Sequence, residues 1–232
     1  MLGSLSRPPA EFEAYLFDLD GTLVDSAPDI HAALNHALTQ AGLPSVALSL
    51  TRDFVGTGSK ALINLALTHI AQHQMGQNKE NIEDVNPEPM LENFLNYYEN
   101  NIAVYSQPFP GTRKTLATLK NRGAKLSVVT NKYVGLSELV LNQLELREYF
   151  TCVVGSETTP HPKPAADPAL HACRELEVAP ENALFVGDAS PDVGCARAAG
   201  CEVVVRREGY NNGVPASELG ADAVIDAISE LL

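Results

Sequence analysis

The chain has 232 residues, 45% of them hydrophobic and 19% charged, enough for a sizeable core in one large domain or two small ones. Its formal net charge of −13 disfavours nucleic acid and anionic membrane as partners, and no stretch approaches the roughly 18 apolar residues of a membrane span. Its four cysteines, Cys152, Cys173, Cys195 and Cys201, make no CxxC pair and no Cys/His cluster, so reduced thiols in a cytoplasmic protein are expected. The start, MLGSLSRPPAEFE, has no apolar run of the kind that marks a signal peptide or an anchor.

The first element in chain order is AYLFDL, residues 14–19, a short strand of buried character. From Pro28 to about Tyr105 the spacing turns helical. PDIHAALNHALTQAGL opens with proline and closes at Gly42. SKALINLALTHIAQHQ sets Leu62, Leu65, Ala66 and His69 near one face, GQNKENIEDVNPEP is a polar loop, and PMLENFLNYYENNIAVY is a third helix. From QPFPGT, residues 107–112, helices alternate with the β-branched runs KLSVVT, FTCVVG, ALFVG, EVVV and AVI. That alternation predicts a parallel sheet wrapped by helices.

One strand therefore precedes an all-helical block and most of the sheet follows it. The expected fold is α/β, a Rossmann-like parallel sheet core flanked by helices and carrying an inserted all-helical cap. The core is expected over residues 1–24 and 108–232 and the cap over residues 25–107. Residues 24–26 and 107–111 are the expected connecting strands and hinges.

Four segments sit at a predicted strand's carboxyl end or just beyond it, the edge where ligands bind in open α/β sheets. FDLDGTL brings Asp18, Asp20, Gly21 and Thr22, and VVTNK brings Thr130, Asn131 and Lys132. HPKPAADP brings Lys163, and FVGDASPD brings Asp188, Ser190 and Asp192. Acids gathered at one edge repel unless a cation sits among them, and hard oxygen donors favour Mg²⁺. A carboxylate can act as a nucleophile. A metal ion with one lysine can neutralise a transferring phosphoryl group. Together these parts specify phosphoryl transfer, and Gly21 allows a tight turn where a side chain would block the phosphate.

The ordered set D18-L-D20-G-T22, T130-N131, K163-P and G187-D188-A-S-P-D192 resembles the four motifs of the haloacid dehalogenase superfamily, across residues 14–232. The helical block resembles that superfamily's type-1 cap. DSAPDIHAALNHAL, FVGTGSKALI and GYNNG are similar in texture to the bacterial phosphoglycolate phosphatases within it. The resemblance implies that Asp18 attacks phosphorus. It implies that Asp20 protonates the leaving oxygen and then activates water. Mg²⁺ would be held by Asp18, the Asp20 backbone carbonyl and Asp188, with Asp192 orienting a metal-bound water. Thr130 and the Asn131 backbone would grip the phosphate, and Lys163 would pair with it and with Asp18. The implied substrate is a small phosphorylated metabolite, best 2-phosphoglycolate, and the chain is expected as a monomer or homodimer.

Gly56 and Gly58 are candidate substrate-facing positions in the cap, against a plain turn. Arg52 and Lys60 are expected at the surface, Phe54 and Tyr133 in packing, and His31, His36, His69 and His73 in packing or at the surface. Asp25 and Ser26 are expected as turn residues. Asp20 argues against dehalogenase and phosphonate-cleaving chemistry, and the cap lysines are only Lys60 and Lys79. Other small-molecule phosphatases and a β-phosphoglucomutase-like phosphotransferase share the motifs. A non-enzymatic sensor of a phosphorylated ligand would have lost at least one of them.

Overall fold

The computed structural model describes residues 5–73 and 85–232. Strand β1 (Ala14–Phe17) leads to β2 (Val24–Asp25), four helices, and β3 (Gln107–Pro108). The helices are α1 (Ala27–Gln40), α2 (Leu48–Phe54), α3 (Ser59–His73) and α4 (Pro87–Asn100). Then follow α5 (Thr112–Asn121), β4 (Lys125–Val129), α6 (Val134–Gln143), β5 (Cys152–Val154), α7 (Asp167–Leu176), β6 (Ala183–Gly187), α8 (Ser190–Ala199), β7 (Glu202–Arg206) and β8 (Ala223–Ile225). Lys79 and most of the expected polar loop lie outside the described residues.

The strands read as unbroken apolar runs because both faces of the sheet are covered. Tyr15, Phe17, Leu126, Val128, Leu184 and Val186 pack with Leu116 and Leu119 of α5 and Val140 and Leu141 of α6. Their neighbours Ala14, Leu16, Val129, Phe185 and Val203 pack with Ala172 and Leu176 of α7 and Val193 and Ala196 of α8. Successive side chains thus serve opposite cores. The six strands lie in the order β5-β4-β1-β6-β7-β8, every neighbouring pair parallel. The chain builds outward from β1 first through β4 and β5, then through β6, β7 and β8. The strand order therefore reverses beside β1, where a crevice opens at the carboxyl ends.

The helices α1–α4 bury their own apolar cluster, including Ala33, Leu34, Ile63, Ala66, Ile70, Met90, Phe94 and Tyr98. Leu136 and Tyr210 join this cluster from outside the four helices. The short α2 differs from the sequence reading, which contains three helices in this block. Seven residues are too few to display a 3.6-residue period. The strands β2 and β3 pair antiparallel, Val24 with Pro108 and Asp25 with Gln107, where the chain enters and leaves the helical block. Buried Asp29, in the first turn of α1, fixes the exit. It accepts from the Tyr105 N–H at 3.0 Å, the Ser106 N–H at 2.8 Å and the Ser106 hydroxyl at 2.5 Å.

Candidate active site

The loop after β1 folds back at once. The N–H groups of Leu23 and Val24 both donate to the Leu19 carbonyl at 3.0 Å, and the Gly21 N–H donates to the Val24 carbonyl at 2.9 Å. Gly21 has a φ of +88°, which L-residues rarely adopt. A Cβ there would collide with the Asp188 carboxylate and the Tyr210 ring. The turn leaves Asp18 and Asp20 buried at the centre of the sheet edge. Asp188 and Asp192 arrive from β6 and the first turn of α8, Thr130 and Asn131 from β4, and Lys163 from the loop before α7. All are buried.

Asp18, Asp188 and Asp192 can each bring a carboxylate oxygen within 4.8 Å of the others. The Lys163 ammonium stands 2.8 Å from Asp18 Oδ1 and 2.6 Å from Asp192 Oδ1, and donates to the Val129 carbonyl at 3.0 Å. Burial and the flanking carboxylates oppose each other at Lys163, and the carboxylates hold its pKa above the ordinary range. Burial pushes Asp18 up to about 6, against the pull of Lys163 and with help from Asp192. Burial, then Asp192 and Asp18, raises Asp188 well above the ordinary carboxylate range. Three buried acids facing one ammonium leave a deficit of positive charge, the setting for a divalent cation.

The donors fit a small hard cation. Asp18 Oδ1 is buried, and apart from the Lys163 ammonium it meets no partner among the described residues. Asp188 is aimed by the Thr22 hydroxyl and the Tyr210 N–H, both at 2.5 Å. A Cβ at Gly209 would strike the Asp188 carboxylate and one at Gly187 the Asp192 carboxylate, so backbone closes in where side chains are absent. Asp192 has both oxygens engaged. Oδ2 accepts the Asp188 and Ala189 N–H groups at 3.0 Å, and Oδ1 takes Lys163. That engagement suits an outer position rather than direct ligation, and a solvated first-turn acid is excluded by its burial.

Asp20 belongs to a second buried pair. Lys132 donates to its Oδ1 at 2.9 Å and Oδ2 at 2.7 Å, and the Ser26 hydroxyl donates to Oδ1 at 2.5 Å. Both oxygens of the Asp20 carboxylate are thereby engaged. Two expectations are corrected here. The site holds two lysines, not the one that the motifs imply. Ser26 is not a mere turn residue. As N-cap of α1 it makes no side-chain cap bond and spends its hydroxyl on Asp20 instead. Lys132 lies two residues past Thr130, a spacing that returns to the same loop edge, and that was the available signal.

One cavity of about 40 Å³ gathers Asp18, Asp20, Thr130, Asn131 and Lys132 from the sheet side. Gly56, Gly58, Leu62, Phe94 and Tyr98 line it from the helical side. Gly56 and Gly58 take φ of +103° and +92°. The Asn131 side chain bridges the two sides, donating to the Gly56 carbonyl at 3.0 Å and the Lys163 carbonyl at 3.1 Å. It also accepts the Lys163 N–H at 3.0 Å, so its side chain organises the loops. Thr130 Oγ1 accepts the Lys132 N–H at 3.3 Å. Arg52 and Lys60 lie outside the cavity lining, in exposed pairs with Asp25 and Glu88. Phe54 is packed in the helical cluster.

Residues 15–206 match the haloacid dehalogenase-like hydrolase family, and the chain belongs to it. It is an enzyme of the phosphoric monoester hydrolase class. It is 36% identical over 222 residues to the phosphoglycolate phosphatase of Haemophilus influenzae, covering 96% of this chain and 97% of that one. It is 35% identical over 223 residues to that of Nitrosococcus oceani, covering 94% of each. The crystal structure of a predicted phosphoglycolate phosphatase from Haemophilus somnus superposes with a TM-score of 0.86 at 30% identity, covering 95% of this chain and 96% of that one. No helix among the described residues is long and apolar enough to cross a membrane.

Proposed function

We propose that the chain hydrolyses 2-phosphoglycolate to glycolate and phosphate, with Mg²⁺, through a phosphoaspartate on Asp18. The observation that carries the chemistry is the buried Asp18 oxygen beside Asp188 and Asp192, with the Lys163 ammonium as its one close partner among the described residues. The substrate follows from the likeness to the phosphoglycolate phosphatases.

An Asp18 oxygen attacks phosphorus and the bond from phosphorus to the glycolate oxygen breaks, while Asp20 gives that oxygen its proton. Asp20, now a carboxylate, takes a proton from water as the water oxygen attacks phosphorus. The Asp18–phosphorus bond breaks, and phosphate and the starting carboxylate are restored. Lys132 and Ser26 orient the Asp20 carboxylate, the form in which it takes the proton from water. Lys163 compensates Asp18 and Asp192 before substrate arrives, and Thr130 with the Asn131 backbone orients the phosphate. Asp18, Asp188 and the Asp20 carbonyl are the ligands for Mg²⁺, whose coordination uses few carboxylates, with Asp192 outside them. When bound, the ion supplies positive charge against the transferring phosphoryl group.

Residues 25–107 act in this reading as a cap that opens for substrate and closes to exclude other acceptors. The cap hinges at β2 and β3, and Gly56 and Gly58 let its backbone approach the substrate. A small cavity suits a two-carbon phosphate better than a nucleotide. The setting is the reducing cytoplasm, in line with the four free thiols.

The test is phosphate release with Mg²⁺ and with EDTA, over phosphoglycolate, glucose 1-phosphate, pyridoxal phosphate, pyrophosphate and nucleotides. Metal-dependent multiple turnover with the highest kcat/KM on phosphoglycolate is expected. A peak on another compound would discard the substrate and keep the Asp18 chemistry. Absence of release from all of them would discard both.

A further inference from the structure

We infer that Tyr98 and Lys132 form a receptor for an acid group that the substrate carries away from its phosphate. The inference rests on the reading that a phosphomonoester reacts at Asp18, and it names how that substrate is chosen. Tyr98 is fully buried and lines the same cavity as Asp18, Asp20 and Thr130. Its hydroxyl donates to no acceptor among the described residues, and its oxygen faces the Lys132 ammonium. Buried hydroxyls find partners in the great majority of cases, and an exception facing a reaction cavity calls for an incoming acceptor. Burial pushes the phenol up to about 12, so it keeps its proton and donates. Phenylalanine would serve equally if packing against Met90 and Phe94 were the only need.

Lys132 supplies the second donor. Its Nζ lies 4.8 Å from the Tyr98 ring centre. An ammonium has three donors, and two of them serve the oxygens of Asp20. Lys132 itself lines the cavity beside Tyr98. Around this pair the helical wall is apolar, with Ile30, Val55, Leu62 and Phe94, and Ser59 at its edge. A phenol and an ammonium converging in such a wall match the two oxygens of a carboxylate. An alkyl phosphate of equal length would leave both donors without an acceptor, the situation that gives the strongest discrimination.

The test uses matched substrates, phosphoglycolate with ethyl phosphate and 2-phospholactate with isopropyl phosphate, on the Mg²⁺-loaded wild type and Tyr98→Phe. The wild type should favour the acid of at least one pair. In Tyr98→Phe the ratio of kcat/KM for that acid to its alkyl match should fall at least tenfold, mainly through KM. Its Tm should change little, because the O–H removed donates to nothing and only the contact of its oxygen with Lys132 is lost. An unaltered ratio in the variant would overturn the inference. So would an equal loss on both members of the pair together with a lowered Tm, which marks a structural role. A wild type without preference for acid in either pair would also overturn it, while metal-dependent release would keep the phosphatase chemistry. Preference for phospholactate alone would remove phosphoglycolate as substrate and support the receptor.

Discussion

The two walls of the cavity differ in how they hold polar atoms. On the sheet side, charged groups are fixed by ion pairs and backbone amides, as Asp192 is by Lys163 and two N–H groups. On the helical side the lining is mostly aliphatic and aromatic, and its one buried hydroxyl, on Tyr98, donates to no acceptor among the described residues. A wall locked by mutual charge suits bond-making, where the geometry of each group sets the rate. An apolar wall can change one side chain without disturbing that lock. Chemistry and selection are thereby separated across one small cavity, and substitutions on the two sides should separate as well.

The largest effect is expected at the centre of the charged wall. Asp18→Asn should reduce kcat by at least about 10⁴-fold, since the nucleophile itself is lost. It should keep or raise Tm in EDTA, because a carboxylate raised to about 6 by burial gives way to a neutral group. Kinetics must exclude deamidation back to Asp. Turnover by the intact variant would remove Asp18 as the nucleophile and end the division between walls. Removing the metal ranks next. EDTA should lower kcat by roughly 10³-fold, equivalent to several kcal/mol of charge stabilisation, and Mg²⁺ should restore it and raise Tm. A rate indifferent to EDTA would break the assignment of the acid cluster.

Lys132→Met probes the boundary. Lys132 touches Asp20 on one side and Tyr98 on the other. Removing it leaves a buried carboxylate with Ser26 as its neutral donor, which should destabilise the fold by about 3–5 kcal/mol. Mispositioned acid–base catalysis should lower kcat by roughly 10²–10⁴-fold. Chemical denaturation and steady-state kinetics read the two effects. A variant with kcat intact would show that Asp20 needs no partner, and Lys132 would move to the selective wall alone.

The charged wall is largely legible in sequence and the apolar wall is not. Asp18, Asp20, Thr130 and Asp188 stand at or just past strand ends, with Lys163 in a following loop and Asp192 in the first turn of α8, and strands buried on both faces announce themselves as β-branched runs such as ALFVG and EVVV. Lys132 is placed at the sheet edge by its motif, but no role follows from sequence, because a lysine after a strand is ordinarily solvated. Its burial depends on Asp20, more than a hundred residues earlier in the chain. Ser26 escapes because an N-cap serine normally serves its own helix. Tyr98 follows Met90 and Phe94 at four-residue spacing, which puts the three on one buried face of α4. That its hydroxyl faces Lys132 and donates to nothing among the described residues is a tertiary fact that no helical pattern records.

The smallest effect should come from a residue that belongs to the helical side but is not itself part of the cavity lining. Asp29 ties the start of α1 to the exit strand through three donors on Tyr105 and Ser106. Asn at this position keeps one carbonyl acceptor but replaces the second oxygen by a donor facing those same N–H groups. Each buried donor left unsatisfied costs about 1–3 kcal/mol, so Asp29→Asn should lose about 1–2 kcal/mol. In a chain of this size that is a fall in Tm of about 2–8 °C. The charged wall is untouched, so kcat at saturating substrate should change by less than about threefold. Calorimetry and a single saturation curve decide the matter. If kcat instead drops as far as in Lys132→Met, movement at the 24–25 and 107–108 junction governs the rate, and the helical side contributes to the reaction step as well as to the choice of substrate.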